Sequence, residues 1–308
     1  MASAAHAKPW RHGIVAPSGD AGFAVMAEKG GFADREGLEL DIAVYPDDAF
    51  ALHDLLQGEI DSYEGAPAVA ILAAARHDDV RIIGCPWLGV TESLFTHPGI
   101  AAPQDLRGQI VAAGPPPELP DLVAEAYLAA NAVPRALVRL AAYASDEERF
   151  GALRAGTAAA AVASIEYLPL AERAGFKLAA RGDELMPNYV RRCIMASERN
   201  LRLRREDAIR FLASEMAALA HALRSRDEEI SLTRAASGMK RDDPRPAAIF
   251  AEAARGDGVA PALPIPLDRL AAMETLLAKR GALAREFDPR DMIDEDIRDE
   301  ARDRVARD

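Results

Sequence analysis

Apolar residues recur along this chain in two alternating rhythms. Gly13-Ile-Val15 is a short apolar run closed by a Pro/Ser/Gly/Asp turn at 17–20, after which Phe23, Met26, Ala27 and Gly30 fall at helical spacing. Leu38, Leu40, Ile42 and Val44 alternate with polar or small neighbours, the period of a strand. Residues 80–84, 109–113, 137–142 and 189–196 read as further strands. From Arg205 the pattern turns helical, with Ile209, Leu212, Met216, Leu219 and Leu223 along one side. Strands alternating with helices predict an α/β fold with mainly parallel sheets flanked by helices.

The pattern also repeats. The stretch from Val44 to Gly58 can be laid on that from Ala142 to Gly156, so that Tyr45 meets Tyr143, Asp48 meets Asp146, Leu55 meets Leu153 and Gly58 meets Gly156. Each copy reads as a strand, an acidic helix cap, a helix, and a glycine that ends it. Two similar α/β lobes in tandem are expected, with a ligand cleft between them. Turn signals at Thr96-His-Pro-Gly99 and Met186-Pro-Asn188 bound the second lobe. The expected division is a discontinuous first lobe, 1–94 plus 189–308 with C-terminal helices, and a second lobe over 95–188.

Composition narrows the function classes. The 308 residues carry a formal net charge of −12, which argues against sequence-independent nucleic-acid binding. Half of the residues are apolar, only 6% are aromatic and 28% are charged, so the core is to be built from Ala, Leu, Val and Ile. No apolar run approaches the ~18 residues of a membrane span. Cys85 and Cys193 are too few for a disulfide framework and have no metal-ligand spacing, which permits a reduced compartment. Residues 1–12 lack a basic start followed by an apolar run, so the sequence as it stands reads as cytoplasmic, or as periplasmic if an export signal has been removed.

Several chemistries find no support. There is no Gly-x-x-x-x-Gly-Lys-Ser/Thr loop, no Gly-x-Gly-x-x-Gly after a strand, no His-Glu-x-x-His and no Gly-x-Ser-x-Gly elbow. No metal or nucleotide cofactor is expected. What remains are four segments at expected strand C-terminal ends, where open α/β sheets place ligands: 17–23, 62–67, 114–120 and 163–167.

The order of these pieces resembles the type II periplasmic-binding-protein family of the aliphatic-sulfonate, taurine and nitrate binding proteins and the thiamine-pyrimidine synthases. The resemblance is carried by Ala27-Glu-Lys-Gly-Gly-Phe32 with Gly37-Leu-Glu-Leu40, and by Leu56-Gln-Gly-Glu-Ile-Asp61 leading into Ala66-Pro-Ala68. The most specific pieces are Gly99-Ile100 and Pro103-Gln-Asp-Leu-Arg-Gly-Gln-Ile-Val111. Leu153-Arg-Ala-Gly156 matches a second Leu-x-x-Gly, with Ala where the family usually has Asp. The resemblance implies two lobes that close on a small molecule, with ligand residues drawn from the four segments. Carried over, these are Ser18, Asp20, Glu64, Gly65, Gly114, Glu118, Glu166 and Tyr167, with Tyr189 at the start of the returning strand. It further implies a solute-binding protein of an ABC-type importer with a transporter permease as partner, and the lack of a long apolar run implies no membrane insertion.

The ligand's charge follows from the residues. Pro115, Pro116, Pro117 and Pro120 have no N–H to offer an oxyanion, and Asp20, Glu64, Glu118 and Glu166 would repel one at about 1 kcal/mol or more per close pair. A neutral or cationic ligand is expected, with Tyr63, Tyr167 or Trp87 as an aromatic face. The alternative is a cytosolic enzyme on the same fold: a decarboxylase, desulfinase-like lyase or hydrolase using Glu64 or Glu166 as general acid or base. The resembling desulfinases use a cysteine in the first segment, where this chain has Ser18. A third alternative is a cytosolic sensor that binds a ligand and then a partner protein.

Overall fold

The computed structural model describes residues 8–256, 258–285 and 287–307. Most of the N-terminal stretch on which the export-signal expectation rests lies outside the described residues. The chain forms two compact units. The first comprises the residues up to Leu88, Val190–Arg241 and Gly256 onward; the second comprises Gly89–Tyr189 and Asp242–Arg255. The expected division set its crossings at 94/95 and 188/189 and gave the second lobe no later segment.

The first unit opens with β1 (Trp10–Val15), α1 (Ala21–Lys29), α2 (Phe32–Arg35), β2 (Leu40–Tyr45), α3 (Asp48–Gln57), β3 (Ser62–Gly65), α4 (Pro67–Ala74) and β4 (Arg81–Trp87). The second unit follows with β5 (Glu92–Thr96), β6 (Ile110–Ala113), α5 (Leu119–Ala130), β7 (Arg139–Ala142), α6 (Asp146–Arg154), β8 (Ala160–Ser164), α7 (Leu168–Arg173), β9 (Lys177–Ala180) and α8 (Gly182–Leu185). The chain then returns through β10 (Arg192–Ala196), α9 (Glu198–Leu203), α10 (Arg205–Arg224) and α11 (Arg226–Ser237). It ends with α12 (Arg245–Ala253), α13 (Leu267–Lys279) and α14 (Glu295–Val305). Of these last helices, α12 belongs to the second unit.

Each unit is built on a five-stranded sheet, ordered β2-β1-β3-β10-β4 in the first and β7-β6-β8-β5-β9 in the second. The orders correspond strand for strand. β1 pairs parallel with β2 and β3, and β6 with β7 and β8. The fourth strand of each sheet runs against its neighbours: β10 is antiparallel to β3 and β4, and β5 to β8 and β9. Both sheets are therefore mixed, with four strands in one direction and one reversed. The reversed strands, β5 and β10, are the first strands after the chain passes into the second unit and after it returns.

The internal repeat falls at equivalent places. Asp47 caps α3 by accepting from the Ala49 and Phe50 amides, while Ser145 caps α6 in a capping box with Glu148. Asp48 and Asp146 are first-turn residues rather than the caps. Gly58 and Gly156 take the left-handed conformation past each helix, φ 75° and 72°, where a side chain would be strained.

Strand boundaries shift from the expected ones, and four strands were not anticipated. β8 is Ala-Ala-Val-Ala-Ser, buried at every position, so it shows neither alternation nor β-branched enrichment. β3 occupies Ser62–Gly65, part of what was read as a loop. The expected strand over 189–196 begins only at Arg192.

A disulfide joins Cys85 of β4 to Cys193 of β10, across a sequence separation of 108 residues. Two cysteines are too few for a framework, yet they pair: they lie on neighbouring strands, an adjacency that no local spacing displays. Between Trp87↔Arg192 and Gly84↔Ile194 the register slips, because β4 carries an extra residue at Cys85-Pro86 and Pro86 has no amide for the ladder. The bridge lies where the hydrogen-bonded pairing is interrupted.

Candidate functional site

In the first unit, four of the sequence-derived candidates lie at the ends of the parallel strands β1 and β3. Past β1, Ala16 turns through a left-handed conformation, φ 42°, and the loop runs into α1. The Ser18 amide donates to Asp20 Oδ1 at 3.3 Å, folding the loop onto the helix start. Asp20 is buried, and its Oδ2 meets Arg191 Nη2 at 2.9 Å and Arg192 Nη2 at 3.5 Å. Burial alone would raise the Asp20 carboxyl, but Arg192 and Arg191 outweigh it and hold it well below the usual carboxylate range.

Glu64, on β3, is 3.8 Å from Arg192 Nη1. Burial raises its pKa despite that arginine, and Asp20 pushes the same way. The main cause is thus loss of water rather than acidic neighbours. Glu215 of α10 is buried nearby with Oε1 unpartnered, and burial together with Glu64 raises it well above the ordinary value. Gly65 has a packing reason for being glycine: a Cβ there would fall 2.0 Å from Asp48 Oδ1, which accepts the Ala66 amide at 2.9 Å. Burial pushes Asp48 up to about 6.

Sequence reasoning counted these carboxylates and missed the arginines. Arg191 and Arg192 stand where the chain re-enters the first unit. Arg192 Nη1 also reaches the Val15 carbonyl at the end of β1, at 3.4 Å. The Arg191 guanidinium lies over the Trp87 ring at 4.6 Å, and its Nε and Nη1 are buried without a partner. Trp87 therefore has one face covered, and Phe23 meets it edge-on. Tyr63 is wholly buried against Gly13 and Gly65. Asp20 brings no net charge to its surroundings, so it cannot repel an anion as expected.

In the second unit, Gly114, Glu118, Glu166 and Tyr167 occupy the corresponding sheet ends, while Tyr189 lies after α8 in the segment leading out of the unit. Gly114 closes β6, and a Cβ there would meet Glu118 Oε2 and Pro120 at 3.3 Å. The Glu118 amide bonds Pro115 O, and its carbonyl accepts the Asp121 and Leu122 amides, starting α5 with Pro120 in its first turn. Glu166 and Tyr167 form a 3-10 turn after β8. Both are buried, and the arginine on the first turn of α12 meets them: Arg245 Nη1 is 3.8 Å from Glu166 Oε1 and 3.2 Å from Tyr167 Oη. Asp243 holds that guanidinium in two-pronged fashion, at 2.8 Å and 3.1 Å. Burial pushes the Tyr167 phenol up to about 12. Tyr189 is buried at the last position of the unit, its amide on Met186 O.

Both cysteines of the chain are in the disulfide, so no thiol nucleophile accompanies Ser18. His12 is buried against Ser62 Oγ at 2.8 Å, and burial drives it down to about 3, leaving a neutral ring committed to the core. Among the described residues, no helix is long and apolar enough to cross a membrane.

No protein-family model and no curated protein matches this chain. Solved structures do. The periplasmic aliphatic sulphonate binding protein SsuA from Escherichia coli superposes with a TM-score of 0.77 at 18% identity, over 93% of this chain and 97% of that one. The chain has the type II periplasmic-binding-protein fold. The ligand-binding component of an ABC-type import system from Staphylococcus aureus, solved with zinc bound, shares this solute-binding fold with a TM-score of 0.76 at 14% identity, over 96% and 99% of the two chains. The desulfurization enzyme DSZB gives 0.69 at 14% identity, also over 96% and 99%. Binding proteins and an enzyme thus share one binding-protein fold, and the side chains must decide the function.

Proposed function

We propose that the chain is the solute-binding component of an ABC-type importer, working outside the cytoplasm, and that it captures a small organic molecule that is neutral or cationic rather than oxyanionic. The observation that carries this is the state of the helix N-termini at the sheet ends. An oxyanion is best met by first-turn amides that point free, aided by the helix dipole. In α1 the Ala21 and Phe23 amides are bonded to Ser18 O and Asp20 O, and the Gly22 amide to Thr233 Oγ1. In α5, Pro120 has no amide and that of Asp121 is bonded to Glu118 O. A neutral or cationic molecule asks instead for acceptors, and Glu64 is the carboxylate on which the cationic half of the reading rests.

The ligand residues proposed are Ser18, Asp20, Glu64 and Gly65 of the first unit, with Gly114, Glu118, Glu166, Tyr167 and Tyr189 of the second. A location outside the cytoplasm is supported by the buried Cys85–Cys193 bridge, which suits an oxidising compartment, and a transporter permease would be the partner.

A second reading, an anionic ligand, is favoured by Arg191, whose Nε and Nη1 are buried without a partner. The SsuA relative binds aliphatic sulphonates, as its name states. Calorimetric titration with an alkylamine, an uncharged heterocyclic amide and an alkanesulfonate separates the two. Tightest binding of the amine or amide is expected; tightest binding of the sulfonate would overturn the first reading in favour of the second.

A further inference from the structure

We propose that Thr233 and Glu229, on α11, set the charge of the ligand by sealing the first turn of α1 against oxyanions. This rests on the neutral-or-cationic reading above and assigns it to residues outside the nine candidate positions.

The seal begins with a close approach. A Cβ at Gly22 would lie 2.3 Å from the Glu229 carbonyl oxygen, 2.6 Å from Thr233 Oγ1 and 2.7 Å from Glu229 Oε1. Two of those atoms belong to Glu229 and one of them is backbone, so glycine at 22 is what lets α11 press against this turn. The Gly22 N–H donates to Thr233 Oγ1 at 2.7 Å, and the Thr233 hydroxyl donates to Glu229 Oε1 at 2.7 Å. The hydroxyl's proton is spent on the carboxyl while its oxygen accepts the amide. Ala21 and Phe23 are bonded within their own loop, so the amide at Gly22 is the one in this turn held by another element.

The relay ends on an unusual group. Glu229 is wholly buried, and its Oε2 has no partner. The charged groups facing it are Asp20, before α1, and Arg226, on α11 itself; Asp20 is in turn held by Arg191 and Arg192 of β10. On the side of α10, His221 is bonded to Glu228, the neighbour of Glu229. Burial pushes the Glu229 carboxyl up to about 8, so the seal gains negative charge as pH rises through that value.

An oxyanion approaching this turn has to displace Thr233 from Gly22, and as pH rises through about 8 it also meets the ionising Glu229 carboxyl. A neutral molecule needs no N–H there, and a cation is not repelled. Discrimination is thus set by a hydroxyl and a carboxyl behind the helix, at positions a ligand-contact inventory would pass over.

The test titrates the full chain calorimetrically with ethanesulfonate and with propylammonium, as wild type, Thr233→Val, Glu229→Gln and the double variant. Wild type is expected to prefer the ammonium, and the double variant to shift the sulfonate-to-ammonium affinity ratio by about tenfold toward sulfonate. In wild type, sulfonate affinity is expected to fall about threefold between pH 6.5 and 9, and Glu229→Gln to flatten that fall. Melting temperatures report folding, and if Thr233→Val does not fold, Glu229→Gln alone carries the comparison. An unchanged ratio in folded variants overturns the seal, and so does absence of sulfonate binding in every form. Failure of the underlying reading is distinct: wild type itself would then prefer ethanesulfonate.

Discussion

The two units share a strand order and differ in what they bury. The first sheet's surroundings hold His12, Asp20, Asp61, Glu64, Arg191, Glu215 and Glu229 away from water, and its reversed strand is tied covalently to β4. The second unit buries Asp121, Arg149 and Glu166, and its reversed strand β5 is held by ladder hydrogen bonds beside the alanine-rich β8. One topology therefore tolerates two interiors, one with more buried charge and a covalent staple, the other with fewer buried charges and packed rings such as Phe95, Phe150 and Tyr167. The lesson is that sheet order is set by connectivity and hydrophobic pattern, while charge at the sheet ends is set by loops and by helices far along the chain.

If that contrast is physical, the first unit should respond more strongly to loss of its special links. Replacing both Cys85 and Cys193 by Ala is expected to destabilise the first unit by about 4 kcal/mol, from the entropy of a long closed loop, with urea unfolding as the measurement. Comparable loss in a probe confined to the second unit would erase the contrast. Asp20→Ala should follow, at about 3 kcal/mol, because it takes the carboxylate from the buried Arg191, while Arg192 keeps Glu64. The matching change in the second unit, Glu166→Gln, should cost only about 1 kcal/mol, since Arg245 keeps Asp243 as its partner.

The pH dependence tests the same contrast more finely. Glu229 has a folded pKa of about 8, above its unfolded 4.5, so the folded chain holds a proton that the unfolded chain releases. The stability it contributes is fully present below the unfolded value and is lost as pH rises through the folded one. Over about two pH units inside that window the wild type should lose up to roughly 2 kcal/mol relative to Glu229→Gln. Parallel stability curves for the two proteins would show that the carboxyl titrates normally. The smallest effect is expected from Tyr167→Phe. It removes one hydrogen bond from Arg245, for about 1 kcal/mol or less in thermal unfolding.

Much of this architecture was legible in the sequence. The period-2 run around Leu40 marked β2, and the repeat of Tyr45 to Gly58 at Tyr143 to Gly156 marked two equivalent strand–helix units, because caps and left-handed glycines are local devices. The strand β8 was not legible, since alanines buried on both faces carry no period. The charge balance of the candidate site was not legible either. Arg191-Arg192 reads locally like any exposed basic pair, and its partner Asp20 lies on the far side of the second unit's insertion in the chain. Gly22 and Thr233 are 211 residues apart, and their hydrogen bond depends on how α11 packs, which no spacing announces.

The Cys85–Cys193 bridge also determines how the chain behaves when it is cut. Its two ends flank the passage at Leu88 and the return at Val190, so the covalent loop encloses Gly89–Tyr189 entire. A single proteolytic nick anywhere in that insertion leaves both fragments joined, migrating as one species until a thiol reductant is added. The first unit thus owns a clasp across the gap in its own sequence, and the second can be opened without the first losing either half.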